Sequence, residues 1–220
     1  DGEETGSLIR AMIKNALEGG AGFEEIYKEL GYETNEDYKI IGDPKAKKGG
    51  EISLALSEFP PTLRTVGKQT QLQIISLIEM LAYQSLLGID EETSEYTPLL
   101  ASHWKISEDK QTFWFRINPD ARWSDGREVT AEDVIATFNL LADEGHGDPN
   151  VYTLYGDSFE LPLIAESKYI VRIKSKKVDW RTFIYAATSA AILPSYYLDK
   201  VDGAGYVDKY QYEMLPGTGP

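Results

Sequence analysis

Five carboxylates punctuate this chain where acid–base chemistry could be mounted: Glu58, Asp125, Glu132, Asp133 and Glu160. Two of them at the right separation would suit glycoside hydrolysis, one as acid and the other as base or nucleophile. Among 36 acidic residues, however, such sets arise by chance, and spacing along the chain fixes no separation in space. Other catalytic signatures are missing. No G-x-S-x-G elbow, Walker A run or dinucleotide glycine fingerprint is present. Gly203-Ala204-Gly205 does not sit between a strand and a helix, so it carries no weight as a phosphate loop. Cysteine is absent, which removes thiol catalysis, disulfides, thiolate zinc and a lipidated cysteine from these 220 residues. With His103 and His146 the only histidines, no metal site and no cofactor are expected.

Charge narrows the partners. With 22 basic and 36 acidic residues the net charge is -14, a field that repels phosphate backbones and argues against nucleic acid. Its ordinary role is a solubilising surface. Apolar residues at 42% and charged residues at 26% fit a soluble globular protein. No apolar run approaches eighteen residues, and the start DGEETG lacks the basic and apolar regions of a leader.

The elements that would position a site can be read along the chain. SLIRAMIKNALE (7–18) places Leu8, Ile9, Met12, Ile13, Ala16 and Leu17 on one helical stripe, with Ser7 as cap and Gly19-Gly20 as terminator. A second short helix fits GFEEIYKEL, with Phe23, Ile26, Tyr27 and Leu30 inward. Polar, turn-rich sequence follows, so residues 1–48 form an N-terminal helical appendage and linker, and 49–220 the main body. ISLAL (52–56) reads as a buried strand, stopped beyond SEF by Pro60-Pro61. A helix is expected over 71–87, closed by Gly88. HWKIS and TFWFRIN flank a tight turn, with Phe113, Phe115 and Ile117 on one face. Asp125-Gly126 makes a turn, and Thr130 with Asp133 forms a capping box for AEDVIATFNLLAD. Beyond Gly145 a loop is expected to about Ser158, then the hairpin LPLIAES and KYIVRIKS, a helix within 178–191 and a turn at YYLDK. The fold class is α+β, a mixed sheet flanked by helices, with a smaller subdomain at about 90–190.

Seven ordered segments carry a family resemblance: Gly49-Gly50 before a strand, PLLASHW (98–104), the hairpin Ser107–Ile117, Trp123-Ser124-Asp125-Gly126, TAEDV (130–134), Ile192-Leu193-Pro194 and Gly217-Thr218-Gly219-Pro220. Together they resemble the family 5 extracellular solute-binding proteins, the dipeptide- and oligopeptide-binding components of ABC importers. The resemblance implies an incomplete lobe of the type II, peptide-binding class of periplasmic binding proteins, because family members are much longer. It also implies a monomeric receptor, periplasmic or on the cell surface, that captures a peptide or similar solute between two lobes and delivers it to a membrane permease. Sugars, nickel complexes and haem are other ligands within the family.

In such receptors the loop after the first strand is the best candidate for the cleft, here Ser57–Arg64. Glu58 could pair with a ligand amine, and Phe59 could cover apolar surface. Pro60 holds the loop at low entropic cost. The bland alternative is a solvated Glu58 and a packed Phe59. Tyr83 either faces the cleft or packs. The chain departs from the family in having Arg64-Thr65 where Asp-Pro is common, and Gln84 where an acid is frequent. A sensor module of the same fold is the alternative function, and a carboxylate-dependent hydrolase a more distant one; an enzyme is not expected.

Overall fold

The computed structural model describes residues 2–38, 45, 47, 49, 51, 53, 55 and 59–219. The strand expected at 52–56, the Gly49-Gly50 pair and Glu58 therefore lie wholly or partly outside the described residues. No helix among those described is long and apolar enough to cross a membrane.

A four-stranded sheet organises the molecule. Its strands are β3 (Ala101–Ile106), β4 (Thr112–Ile117), β5 (Ile164–Ala165) and β6 (Ile170–Lys174), in the spatial order β3-β4-β6-β5. A separate hairpin pairs β1 (Leu87–Ile89) with β2 (Tyr96–Pro98). Every strand pairing among the described residues is antiparallel, where a mixed sheet was expected.

Strand β4 explains both sides of the sheet, because alternate residues face opposite ways. Phe113, Phe115 and Ile117 are buried as expected, and Phe183 of α6 (Trp180–Thr188) lies 5.2 Å and 5.7 Å from the first two rings. Helix α4 (Ala131–Leu141) closes the same side, with Phe138 packed on Tyr155 and Phe159. Trp114 and Arg116 point to the other face, which residues 19–35 cover. Phe23 and Tyr32 form a small second core there with Ile170.

The Asp125-Gly126 turn and the capped helix form as read. Gly126 adopts φ 88 and donates to Trp123 O at 2.8 Å. Thr130 N–H donates to Asp133 Oδ2 at 2.8 Å. Asp133 is itself buried and also accepts from Ser195 N–H at 2.7 Å, which ties α4 to α7 (Ser195–Leu198).

Four expectations need correction. Helix α1 runs Gly2–Leu17, so Ser7 lies inside it and does not cap it. Of its apolar stripe only Ala16 is buried; Leu8, Ile9, Met12, Ile13 and Leu17 are exposed. Second, α2 is confined to Phe23–Ile26. Third, α3 spans Gln73–Ala82 and stops well before Gly88, which is in β1. Tyr83 turns extended at φ -126, ψ 152, and the following residues bond to β3, with Ala101 N–H donating to Leu86 O at 2.9 Å. An apolar run reads alike for helix and strand, and tertiary pairing decided it here. Fourth, the expected loop to Ser158 contains a 3-10 turn (Glu144–His146) and helix α5 (Pro149–Ser158). Asp148 caps α5, accepting from Asn150 N–H at 3.0 Å, and Pro149 occupies its first turn.

Candidate ligand-binding face

The Pro60-Pro61 loop is fastened to a later segment of chain. Leu63 N–H and Thr62 Oγ1 both donate to Gln211 O at 2.8 Å, and Gln211 Nε2 returns a bond to Pro61 O at 3.0 Å. Pro60 and Thr62 are buried by this contact. Phe59 is not: it is 81% exposed, and its ring lies 6.3 Å from that of Tyr212, itself 56% exposed. Two aromatic rings on tethered backbone thus stand in solvent side by side. Isolated exposed apolar residues are ordinary, whereas two neighbouring aromatic rings left in solvent make a candidate contact surface.

An open cleft of about 440 Å³ lies along the same segment. Its walls are Ala82 at the end of α3, Ser124 of the Asp-Gly turn, Tyr197 of α7 and the stretch Met214–Gly219. Sequence dictates the close fit of that stretch. Thr218 and Gly219 N–H donate to Ala82 O at 2.9 and 3.0 Å, and Ser124 N–H donates to Gly217 O at 2.8 Å. A Cβ on Gly217 would fall 2.1 Å from Ala82 O, and one on Gly219 2.0 Å from Leu81 O, so only glycine allows the approach.

Tyr83 supports this wall from behind. It is buried, its hydroxyl donates to Leu215 O at 2.9 Å, and burial pushes its pKa up to about 12. Arg64 is likewise turned inward, with Nη1 donating to Val66 O at 2.7 Å and Nη2 to Lys68 O at 3.3 Å. Burial lowers its pKa. Arg64 therefore holds the loop's own backbone. Beside Ser124, Tyr196 donates to Asp125 at 2.7 Å while Arg127 stacks 4.1 Å over the Tyr196 ring. The hydroxyl of Tyr196 holds the Asp125 carboxyl below its usual range.

Of the five carboxylates considered for hydrolysis, Asp133 is spent on backbone N–H groups, Asp125 on Tyr196 and Glu160 on Lys174 at 2.8 Å. Glu132 is exposed on α4 and Glu58 lies outside the described residues. Among the described residues, no three His, Cys, Asp or Glu side chains are grouped to hold a metal ion. Of the residues singled out from sequence, Phe59 and Pro60 lie at the contact with Gln211 and Tyr212, and Tyr83 lies beneath the cleft wall at Leu215. Tyr212, Met214, Ser124 and Tyr197 were missed. For Tyr212 and Met214 the only available signal was polar sequence around large apolar residues ahead of the Gly-Thr-Gly run.

Residues 95–220 match the bacterial extracellular solute-binding proteins, family 5 Middle, and the chain belongs to that family. Among curated relatives, it is 33% identical over 179 residues to the peptidoglycan-binding protein YepA of Agrobacterium fabrum, covering 74% of this chain and 27% of that protein. It is 30% identical over 189 residues to the dipeptide-binding protein of Escherichia coli, covering 74% and 32%. The chain thus spans about a third or less of the length of these relatives. Among solved structures, the oligopeptide-binding protein AppA of Bacillus subtilis with a nonapeptide matches at TM-score 0.60 and 24% identity, over 68% of this chain and 29% of that one. A dipeptide-binding protein of Pseudoalteromonas in complex with Met-Leu matches at TM-score 0.54 and 27% identity, over 73% and 33%. The part of a type II, peptide-binding fold expected from the ordered motifs is therefore present.

Proposed function

We propose that this chain supplies one wall of a receptor, acting as a monomer outside the cytoplasmic membrane, that encloses a peptide and presents it to an ABC permease. The exposed Phe59–Tyr212 pair carries the reading, because it is apolar surface left in solvent on a chain of a solute-binding family. A second lobe would close over it, so that ligand binding energy selects the closed form. Glu58, adjacent in sequence, would hold the ligand's amine, with Phe59 and Pro60 forming the apolar floor and Tyr83 bracing it. The relatives named for dipeptide and oligopeptide binding support peptide as the ligand.

Calorimetry on the full-length protein with a pool of short peptides tests this. Saturable peptide binding is expected. Uniform absence of peptide binding, with tight binding of an oligosaccharide, would overturn the peptide assignment. Turnover of any peptide or glycan would overturn the receptor reading itself.

A further inference from the structure

The face of the sheet away from the helices is covered by residues 19–35, a strap with its own set of attachments. Its start is pinned where Arg116 Nε donates to Gly19 O at 2.8 Å. In its middle Lys105 Nζ donates to Leu30 O at 2.8 Å. Its end pairs with the edge of β3, Glu33 N–H donating to Trp104 O at 2.7 Å and Trp104 N–H to Glu33 O at 3.0 Å. Thr34 Oγ1 then donates to Ser102 O at 2.8 Å.

At the centre of this contact is His103, only 3% exposed. The rings of Phe23 and Tyr27 lie 5.2 and 4.5 Å from it. Its Nδ1 is 3.0 Å from Ser102 Oγ, and its Nε2 is 3.3 Å from Glu24 Oε2. Glu24 is engaged elsewhere, since Oε1 accepts from Arg116 Nη1 at 2.8 Å, and the same Nη1 also donates to Ser102 Oγ at 2.8 Å. The groups facing His103 are therefore Glu24, Phe23 and Tyr27 from the strap and Ser102 and Arg116 from the sheet, with Glu36 acting at longer range.

We infer that the strap is a proton-sensitive latch: it holds to the sheet most tightly while His103 is neutral and loosens when His103 takes a proton. An imidazolium in that pocket would be a buried cation beside a second cation, with its counter-ion already shared. Desolvation is the leading influence on the imidazole and lowers its pKa; Glu24 acts the other way, Arg116 with it, and Glu36 against it. Because the docked pKa lies below the free value of about 6.5, docking is fully favoured above that value and weakens as pH falls through it. Glutamates titrate near pH 4.3, so between pH 7.5 and 5.5 a histidine is the group that changes charge.

Hydrogen exchange on the intact protein tests the latch, with rates corrected for intrinsic pH dependence. Protection of the amides of residues 19–35 is expected to fall, by up to about tenfold, from pH 7.5 to 5.5, one pH unit below the free value. Amides of β4 should not change. Those around His146, buried at the α4–α5 junction, control for the only other histidine. His103→Gln should make strap protection independent of pH over that range. Unchanged protection in the wild type, or an undiminished pH response in H103Q, would overturn the latch. If H103Q fails to dock at either pH, an NMR titration of His103 in the wild type decides. A midpoint below 6.5 that tracks strap opening supports the inference, and a midpoint at or above 6.5 overturns it.

Discussion

The stretch from Pro98 to Val134 and the rim at 59–64 and 211–219 are built on opposite principles. The first is closed. Four of its five aromatics, Trp104, Phe113, Phe115 and Trp123, are buried, and the buried carboxylate of Asp133 is bound by backbone N–H groups. The rim fixes its backbone as firmly, through Gln211 and the Gly217–Gly219 contacts, but leaves Phe59 and Tyr212 in solvent. The motifs that identify the family lie mostly in the closed region, and the surface proposed to meet the ligand carries few of them. Recognisable sequence here marks how the chain is built, and the exposed rim is marked by few such motifs.

The largest effect separating the two regions is expected from Phe115→Ala. Phe115 is fully buried, pairs with Val171 across the sheet and stacks on Phe183. Truncation removes its burial and leaves a cavity, at a cost of about 3–5 kcal/mol. Urea denaturation should show this as a lowered midpoint with an unchanged slope. A loss below about 1 kcal/mol would mean that the region tolerates repacking and that the contrast is weaker than the burial implies.

Gly217→Ala lies between the two, because it alters the rim through its backbone. The added methyl meets the Ala82 carbonyl oxygen and must displace one of the two segments. Overpacking of this kind costs about 1–3 kcal/mol. It should also weaken ligand binding, since Met214 and Leu215 on the cleft wall move with the segment. Loss of stability with unaltered affinity would separate this wall from the ligand.

How far each region could be read from sequence follows from the same physics. Strand β4 was legible because TFWFRI alternates every second residue, and the Asp125-Gly126 turn because glycine admits positive φ. Thr130 and Asp133 fitted a capping box with correct spacing. Helix α5 was missed although Asp148-Pro149 is a start signal, because PNVYTLYGDS has only weak apolar periodicity. The end of α3 depended on Tyr83 reaching Leu215, a contact across 132 positions that no local pattern encodes. Phe59 was legible as a candidate, but its partner Tyr212 was not, since only the tertiary fold brings 59 and 212 together.

The smallest stability effect, and the sharpest test of the comparison, belongs to that pair. Phe59 and Tyr212 sit at the ends of a contact whose hydrogen bonds run through the backbone and side chains of Pro61, Thr62, Leu63 and Gln211, none of which Phe59→Ala or Tyr212→Ala removes. Both rings are more than half exposed, so little burial is lost, and each change should alter unfolding stability by no more than about 0.5 kcal/mol. If the rim meets the ligand once the second lobe closes, the same changes remove desolvated aromatic contact and should weaken peptide binding by more than about 1 kcal/mol, about fivefold or more. Titration calorimetry on the full-length variants reads both rings against one peptide. Full affinity in both variants would move the ligand away from this ledge, even with Phe115→Ala behaving as expected. Stability losses comparable to that of Phe115→Ala would instead show that Phe59 and Tyr212 are covered in the complete protein, and would erase the distinction between the two regions.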